Sequence, residues 1–271
     1  MRKRFGQALR IGVSAHGLAL VKTSRWQGAA TELVAEHAFG GAGLPGFEAI
    51  AAGVRQLLAD AGCAGWSATI VLADDLARLW QVTPPQESSR LADLEAAAAV
   101  RFQALYGEAA SNWQLAAGWD AAKPFMAAAM PRHLLALLQH AAAEQQVTLV
   151  EIVPQFVAGW NQWRGAMKPG AWYGQVQQGV LTLGAIDGGE VRAVRAASLP
   201  DGASLEWLGQ HVAREALRLN LPAPERLQLS GAAPAVWNSS SGGALACSLL
   251  APGRGAGLPA SAQLAATGAR A

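Results

Sequence analysis

The sequence predicts an α/β fold of two lobes, on three observations. Two strand-rich segments of similar pattern lie in opposite halves of the chain, helical stripes of apolar residues separate the strands, and 271 residues exceed what one core comfortably serves. In the second half, Gln175 to Gly179 leads into the apolar run Val180–Ile186, then Asp187-Gly188-Gly189, after which Val191 and Val194 are interspersed with Arg192 and Arg195. The Asp-Gly-Gly step supplies positive φ between strand-like runs and so predicts a hairpin. A coarser echo stands near the start, where Ile11–Gly17 and Leu18–Lys22 read as two short strands about a turn at Gly17. Paired halves of this βββα kind suit a nucleotide cradle.

The elements follow in order. Phe47, Ile50, Ala51, Val54, Leu57, Leu58 and Ala61 recur at helical spacing, and Gly62 stands where a C-terminal cap is wanted. Ala68–Leu72 reads as a buried strand with Asp74 and Asp75 past its end, Leu76–Val82 as a further strand, and Pro84-Pro85 as a boundary. From Ser88 the chain is Ala-rich and helical through Leu94, Ala98 and Phe102 to Gly107; strands Trp113–Ala117 and Phe125–Met130 and a helix from Pro131 follow. This places an inserted subdomain at 84–145 within a first lobe of 1–83 and 146–168. Val147–Val153 resumes as a buried strand, with Phe156, Trp160 and Trp163 on a helix behind it. The second lobe, 169–251, continues with a helix carrying Leu205, Leu208, Val212, Ala216 and Leu219 and a strand over Glu225–Gly231; Trp237 and Ala244–Cys247 complete its sheet. The Gly, Ala, Pro and Ser composition of 252–271 predicts a disordered tail.

Several function classes drop out. No run of about 18 apolar residues exists, so no transmembrane helix is expected. The basic Met1–Arg4 lacks the apolar stretch of a signal peptide, and a cytoplasmic location is expected. Cys63 and Cys247 are too few for a disulfide framework and have no zinc-type spacing, so both read as small buried hydrophobes. A net charge of +2 gives no field for nucleic acid. Asp74 and Asp75 are adjacent, would face opposite ways on a strand, and read as turn residues rather than an acid/base couple. His16 has no neighbouring nucleophile, and Gly-x-Ser-x-Gly, Walker-type and His-Glu-x-x-His motifs are absent.

The segments Val71–Arg78, Arg101–Glu108 and Ile152–Phe156 resemble the PilM-like proteins of type IV and MSHA-type pilus assembly, MshI-like members included, and the cytoplasmic part of the GspL-type component of type II secretion. The resemblance implies an actin-like, ribonuclease-H-like two-lobed fold with a small α+β insertion in the first lobe. In active actin-like ATPases two Asp-x-Gly loops, one per lobe, hold magnesium and phosphates, and a glycine-rich strand end meets the adenosine. Here the loops read Ser14-Ala15-His16-Gly17 and Gln175-Val176-Gln177-Gln178-Gly179, both without the acid, and the strand end reads Ser230-Gly231. Losing those carboxylates removes electrostatic stabilisation that phosphoryl transfer depends on, so the expectation is a pseudo-ATPase with no cofactor. A surviving ATP site would use Gly12, Ser14, Gly17, Lys22, Gly179, Ser230 and Gly231, with Lys22 facing phosphate; the plainer reading is turn glycines and a solvated lysine.

The resemblance further implies a scaffold that sits peripherally at the inner membrane by gripping the cytoplasmic segment of a bitopic membrane protein in a groove between subdomains. Leu91, Phe102, Trp113 and Phe125 read as the insertion's own core, with a surface for an assembly ATPase as the alternative. The competing functional reading is an ATPase or kinase of the same superfamily with non-standard metal-site residues; a polymerising structural protein is a third.

Overall fold

The computed structural model describes residues 6–24, 31–40, 44–86, 90–238, 245–250 and 257–269; Met1–Arg4, Ser88, Ala244 and Pro252 lie outside them. In chain order the strands and α-helices are β1 (Gln7–Val13), β2 (Gly17–Ser24), β3 (Thr31–Ala38), α1 (Phe47–Ala61), β4 (Ser67–Leu72), β5 (Arg78–Val82), α2 (Leu91–Tyr106), β6 (Trp113–Ala117), β7 (Phe125–Pro131), α3 (Arg132–Glu144), β8 (Thr148–Pro154) and α4 (Gln155–Trp163). The second half continues with β9 (Ala171–Gln177), β10 (Val180–Asp187), β11 (Glu190–Ser198), α5 (Leu205–Arg218), β12 (Arg226–Gly231), β13 (Ala246–Leu249) and α6 (Ala260–Ala266).

Each half builds a five-stranded sheet of the same plan. The orders are β3-β2-β1-β4-β8 and β11-β10-β9-β12-β13, in both cases three antiparallel strands extended by two parallel ones. In the first lobe, Leu9, Ile11 and Val13 alternate onto the face covered by Ile50, Val54 and Leu58 of α1, with Trp66 closing the end of the core. Gly62 ends α1 in the left-handed region, at φ 60° and ψ 52°, as its place in the sequence predicts. In the second lobe, Leu208, Val212 and Ala216 of α5 cover Trp172, Leu181, Leu183 and Leu229. The hairpin at Gly188-Gly189 takes φ 60° and 81°, the mirror-image turn that matches strand twist.

Four expectations need correcting. The strand at Arg78–Val82 belongs to a three-stranded sheet of order β5-β7-β6, so the insertion begins before residue 78 rather than after 83. Helix α3 leaves the insertion: Leu134, Leu138, Ala141 and Ala142 enter the first-lobe core, because its apolar stripe faces α1. The insertion's own core is Trp80, Leu94, Phe102, Trp113 and Phe125, with Leu91 exposed at its surface. Strand β8 is an edge rather than a buried strand, and Val150 on it is 63% exposed; a short apolar run does not by itself say which face it has lost to solvent.

The fourth correction is the tail. Residues 260–266 form α6, whose Ala262 and Ala265 pack on Ala19 and Val21 of β2, while Leu264 joins Val71 and Val153. Small residues look like low complexity in a composition, yet they are what close helix-on-strand packing requires. Gly12 shows the fit: a Cβ there would lie 2.3 Å from the Ser261 carbonyl oxygen and 2.8 Å from the Ala265 nitrogen. Arg10 donates to the Ala265 carbonyl (2.7 Å) and to that of Thr267, holding the helix C-terminus.

Candidate functional site

The cleft between the lobes gathers the β1–β2 turn, the turn after β4, the start of α4 and the β9–β10 hairpin. In the first loop, Ser14 is buried, and its Oγ accepts from the backbone N–H of His16 (3.2 Å) and Gly17 (3.1 Å) while donating to the Gly17 carbonyl (3.0 Å). The Ser14 N–H itself donates to the Gly17 carbonyl at 3.1 Å. A phosphate cradle needs such N–H groups turned outward; here the turn satisfies its own donors.

In the second loop Gln178 and Gly179 make the two-residue hairpin turn, at φ 46° and 74°. Gln177 turns its amide into the interface, donating to the Ala260 carbonyl of α6 (2.7 Å) and facing Gln155 Nε2 at 3.4 Å. At the end of β12, Ser230 Oγ shares a 2.7 Å hydrogen bond with the Tyr173 hydroxyl, which donates to Gln175 Oε1 at 3.2 Å. Burial raises the Tyr173 pKa, so this hydroxyl stays a donor. Gly231 has φ 81°, and a Cβ on it would sit 2.2 Å from the Val176 carbonyl oxygen. The glycine is thus demanded by strand-to-strand approach.

Of the seven candidate nucleotide residues, Ser14, Gly17 and Gly179 lie on turns at the cleft, Ser230 and Gly231 lie behind it, and Gly12 is covered by α6. Lys22 is a correction. It pairs with Glu32 of β3 at 2.5 Å, five residues and about 16 Å along β2 from Gly17. His16 is exposed.

Asp74 is the group that residue spacing undervalued. It sits on a single 3-10 turn, Asp74–Leu76, as a turn residue should, and Asp75 beside it is exposed, so the two form no couple. Yet Asp74 Oδ1 accepts the Phe156 N–H at 2.9 Å, capping α4 from outside, and the carboxyl also takes a hydrogen bond from the Thr182 hydroxyl of the second lobe. Burial pushes its pKa up to about 6 against the pull of those two donors, and the nearby Asp75 charge adds to the rise. No motif announces this role, because the partners come from residues 82 and 108 positions away in the chain.

The cleft that remains has a volume of 20 Å³, room for about one water, where small-molecule sites need about 300–1,000 Å³. With the loop donors already engaged, Asp74 committed to α4, and no group of three or more metal-ligating side chains among the described residues, the residues present do not fit a magnesium nucleotide. Two other clefts are larger. One of 280 Å³ runs between edge strand β8 and the β6 and β7 strands of the insertion; one of 590 Å³ separates the opposite edge of the insertion from the second lobe.

No protein-family model matches the chain, and no curated protein does. Solved structures do. A Bacteroides thetaiotaomicron protein with an actin-like ATPase fold and unknown function superposes with TM-score 0.58 at 11% identity, over 85% of this chain and 84% of that one. The fold is actin-like. The same actin-like frame superposes on the PilM–PilN type IV pilus biogenesis complex with TM-score 0.62 at 18% identity, over 97% and 94% of the two chains. The cytoplasmic domain of EpsL, an inner-membrane component of the type II secretion system of Vibrio cholerae, gives TM-score 0.56 at 12% identity, over 82% and 81%. The architecture implied by the three sequence segments is therefore the one observed. Among the described residues no helix is long and apolar enough to cross a membrane.

Proposed function

We propose that this chain is a non-catalytic actin-like scaffold of an inner-membrane assembly platform, of the type IV or MSHA pilus or type II secretion kind, that holds the cytoplasmic segment of a bitopic membrane partner. The observation that carries the reading is the 280 Å³ groove between β8 and β6. Both strands are sheet edges, so each turns a row of unpaired main-chain donors and acceptors toward the gap. An extended peptide laid along β8 would pair with that edge while its alternate side chains meet Ala116, Met130, Val150 and Ile152. Two of the structural neighbours support the setting, one being an inner-membrane secretion component and the other a pilus biogenesis complex. The 20 Å³ interlobe cleft supports the non-catalytic half of the reading.

The test is titration with synthetic peptides corresponding to the short cytoplasmic N-terminal segments of candidate single-pass inner-membrane proteins. Micromolar binding is expected, weakened about 10-fold or more, roughly 1.4 kcal/mol, by Ala116→Glu and by Val150→Asp. Binding that survives both substitutions, or none at all, overturns the groove assignment. Separately, millimolar magnesium-ATP is expected to leave the melting temperature unchanged, since a ligand of the native state must raise it; a clear upward shift would restore the nucleotide-binding reading.

A further inference from the structure

Strands β5 and β11 pack on each other where the insertion meets the second lobe: Leu79 is buried with Val191 and Val194, and Gln81 Nε2 donates to the Val191 carbonyl at 3.2 Å. Beside that contact opens the cleft of 590 Å³, a size that suits a small molecule. One wall is a single stripe of α2, Ala97, Arg101 and Leu105, and the other is β11 with Leu219 and Leu221 from beyond α5. Residues three apart on a strand normally face opposite ways. Yet Val191 and Val194 enter one core while Ala193 enters the other, because a register shift against β10 adds a residue here. The same shift lets Arg192 and Arg195, also three apart, both line the cleft. Three guanidinium groups are thus gathered around one cavity, and among the described residues no carboxylate lines it. Nearby acids answer this charge only in part. Asp187 accepts from Arg192 at 3.1 and 3.3 Å, and Glu215 lies 4.0 Å from Arg195 while bonding Arg218 at 2.6 Å. Arg101 is exposed and has no ion pair among the described residues.

We propose that this cleft binds a small organic phosphate, taken as the free anion without a metal ion. The lining selects that ligand. Arginine forks match phosphate oxygens two at a time, and a phosphoryl group has oxygens enough to be shared by more than one fork. Leu105, 41% exposed, with Leu219 and Leu221 offers apolar surface to the organic part of the molecule. With no carboxylate on the lining, the cleft has nothing to hold a divalent cation. Magnesium-ATP, whose charge the metal already answers in part, is therefore not its ligand, and the melting temperature measured with magnesium-ATP still reports on the interlobe cleft. The site is independent of the β8 groove and survives its failure.

Inorganic pyrophosphate serves as the first probe, titrated by calorimetry at low salt with a chelator present. Saturable 1:1 binding is expected, about 10-fold or more weaker for Arg101→Glu and for Arg192→Gln, and weakened by salt. Arg132→Gln, at an exposed arginine outside the cleft, and Val150→Asp, in the other groove, are expected to leave it intact. Arg101 is exposed and unpaired, so that variant should fold like the parent, and its melting temperature checks this. Phenyl phosphate, the second probe, is expected to bind more tightly than inorganic phosphate and to lose that advantage in Leu105→Ser. No binding at millimolar pyrophosphate, equal binding by Arg101→Glu and the parent, or an equal loss in Arg132→Gln overturns the proposal, as does phenyl phosphate binding no better than inorganic phosphate. A glutamate-rich peptide that binds the parent but not Arg101→Glu, and that pyrophosphate fails to displace, also overturns it, in favour of an acidic partner segment.

Discussion

At the scale of single residues, the candidate site is held by groups whose roles are set by their neighbours. Gly231 looks in sequence like a nucleotide-contacting glycine, and the structure gives it a steric role: left-handed φ and a Val176 carbonyl where a side chain would begin. Gly231→Ala is expected to cost about 1–3 kcal/mol from backbone strain alone, seen as a melting temperature lower by several degrees. Asp74 makes the opposite case. Its folded-state carboxyl keeps its proton to about pH 6, whereas an unfolded aspartate releases it near pH 3.9. The native state therefore binds more protons than the unfolded state between those values. The stability this contributes is complete below the unfolded pKa and lost as pH rises through the folded one. Asp74→Asn keeps an oxygen for the Phe156 N–H and carries no charge to bury. It is expected to be more stable than the parent at pH 8, by about 3 kcal/mol at most, with the gain gone at pH 4; denaturant titrations at the two pH values check both halves.

At the scale of elements, periodicity located the helices well and their surroundings poorly. Helix α5 starts at the N-cap Ser204, whose Oγ accepts the Trp207 N–H at 3.2 Å. Ser204→Ala is expected to cost about 1 kcal/mol, a drop of about 2–4 °C by calorimetry. Helix α3 and strand β5 were legible as elements, but their lobe was not, since an apolar stripe states that a face is covered and leaves open what covers it. Helix α6 was illegible for a different reason: its seven residues are mostly alanine, and short alanine-rich segments have no stripe until a partner surface exists. That surface is the glycine-notched β1. Gly12→Ala is expected to lose about 1–3 kcal/mol through overpacking and to speed proteolysis within residues 257–269, since the added methyl stands in the backbone of α6.

At the scale of the molecule, the chain's end ties the lobes together. Helix α6 lies on the first-lobe sheet, receives the Gln177 amide from the second lobe at its N-terminus, and continues to Gly268, whose N–H donates to Gln162 of α4 at 2.9 Å. Removing residues 257–271 is expected to raise amide hydrogen exchange in the 14–17 and 177–180 turns together, because both line the cleft that α6 borders; exchange raised in one turn alone would show that the lobes do not depend on this tie.

The sequence by itself determined the duplicated strand pattern, the turns at Gly17 and Gly188-Gly189, the cap at Gly62 and the missing acids of both loops, all written in local residue identity and spacing. Only the tertiary structure decided that Lys22 serves Glu32, that Asp74 bridges the lobes, that β8, β5 and β11 are the outer strands of their sheets, and that the apparent tail is a packed helix. Local conformation follows from a few neighbouring residues, whereas burial, edge position and pKa depend on atoms brought together from distant parts of the chain.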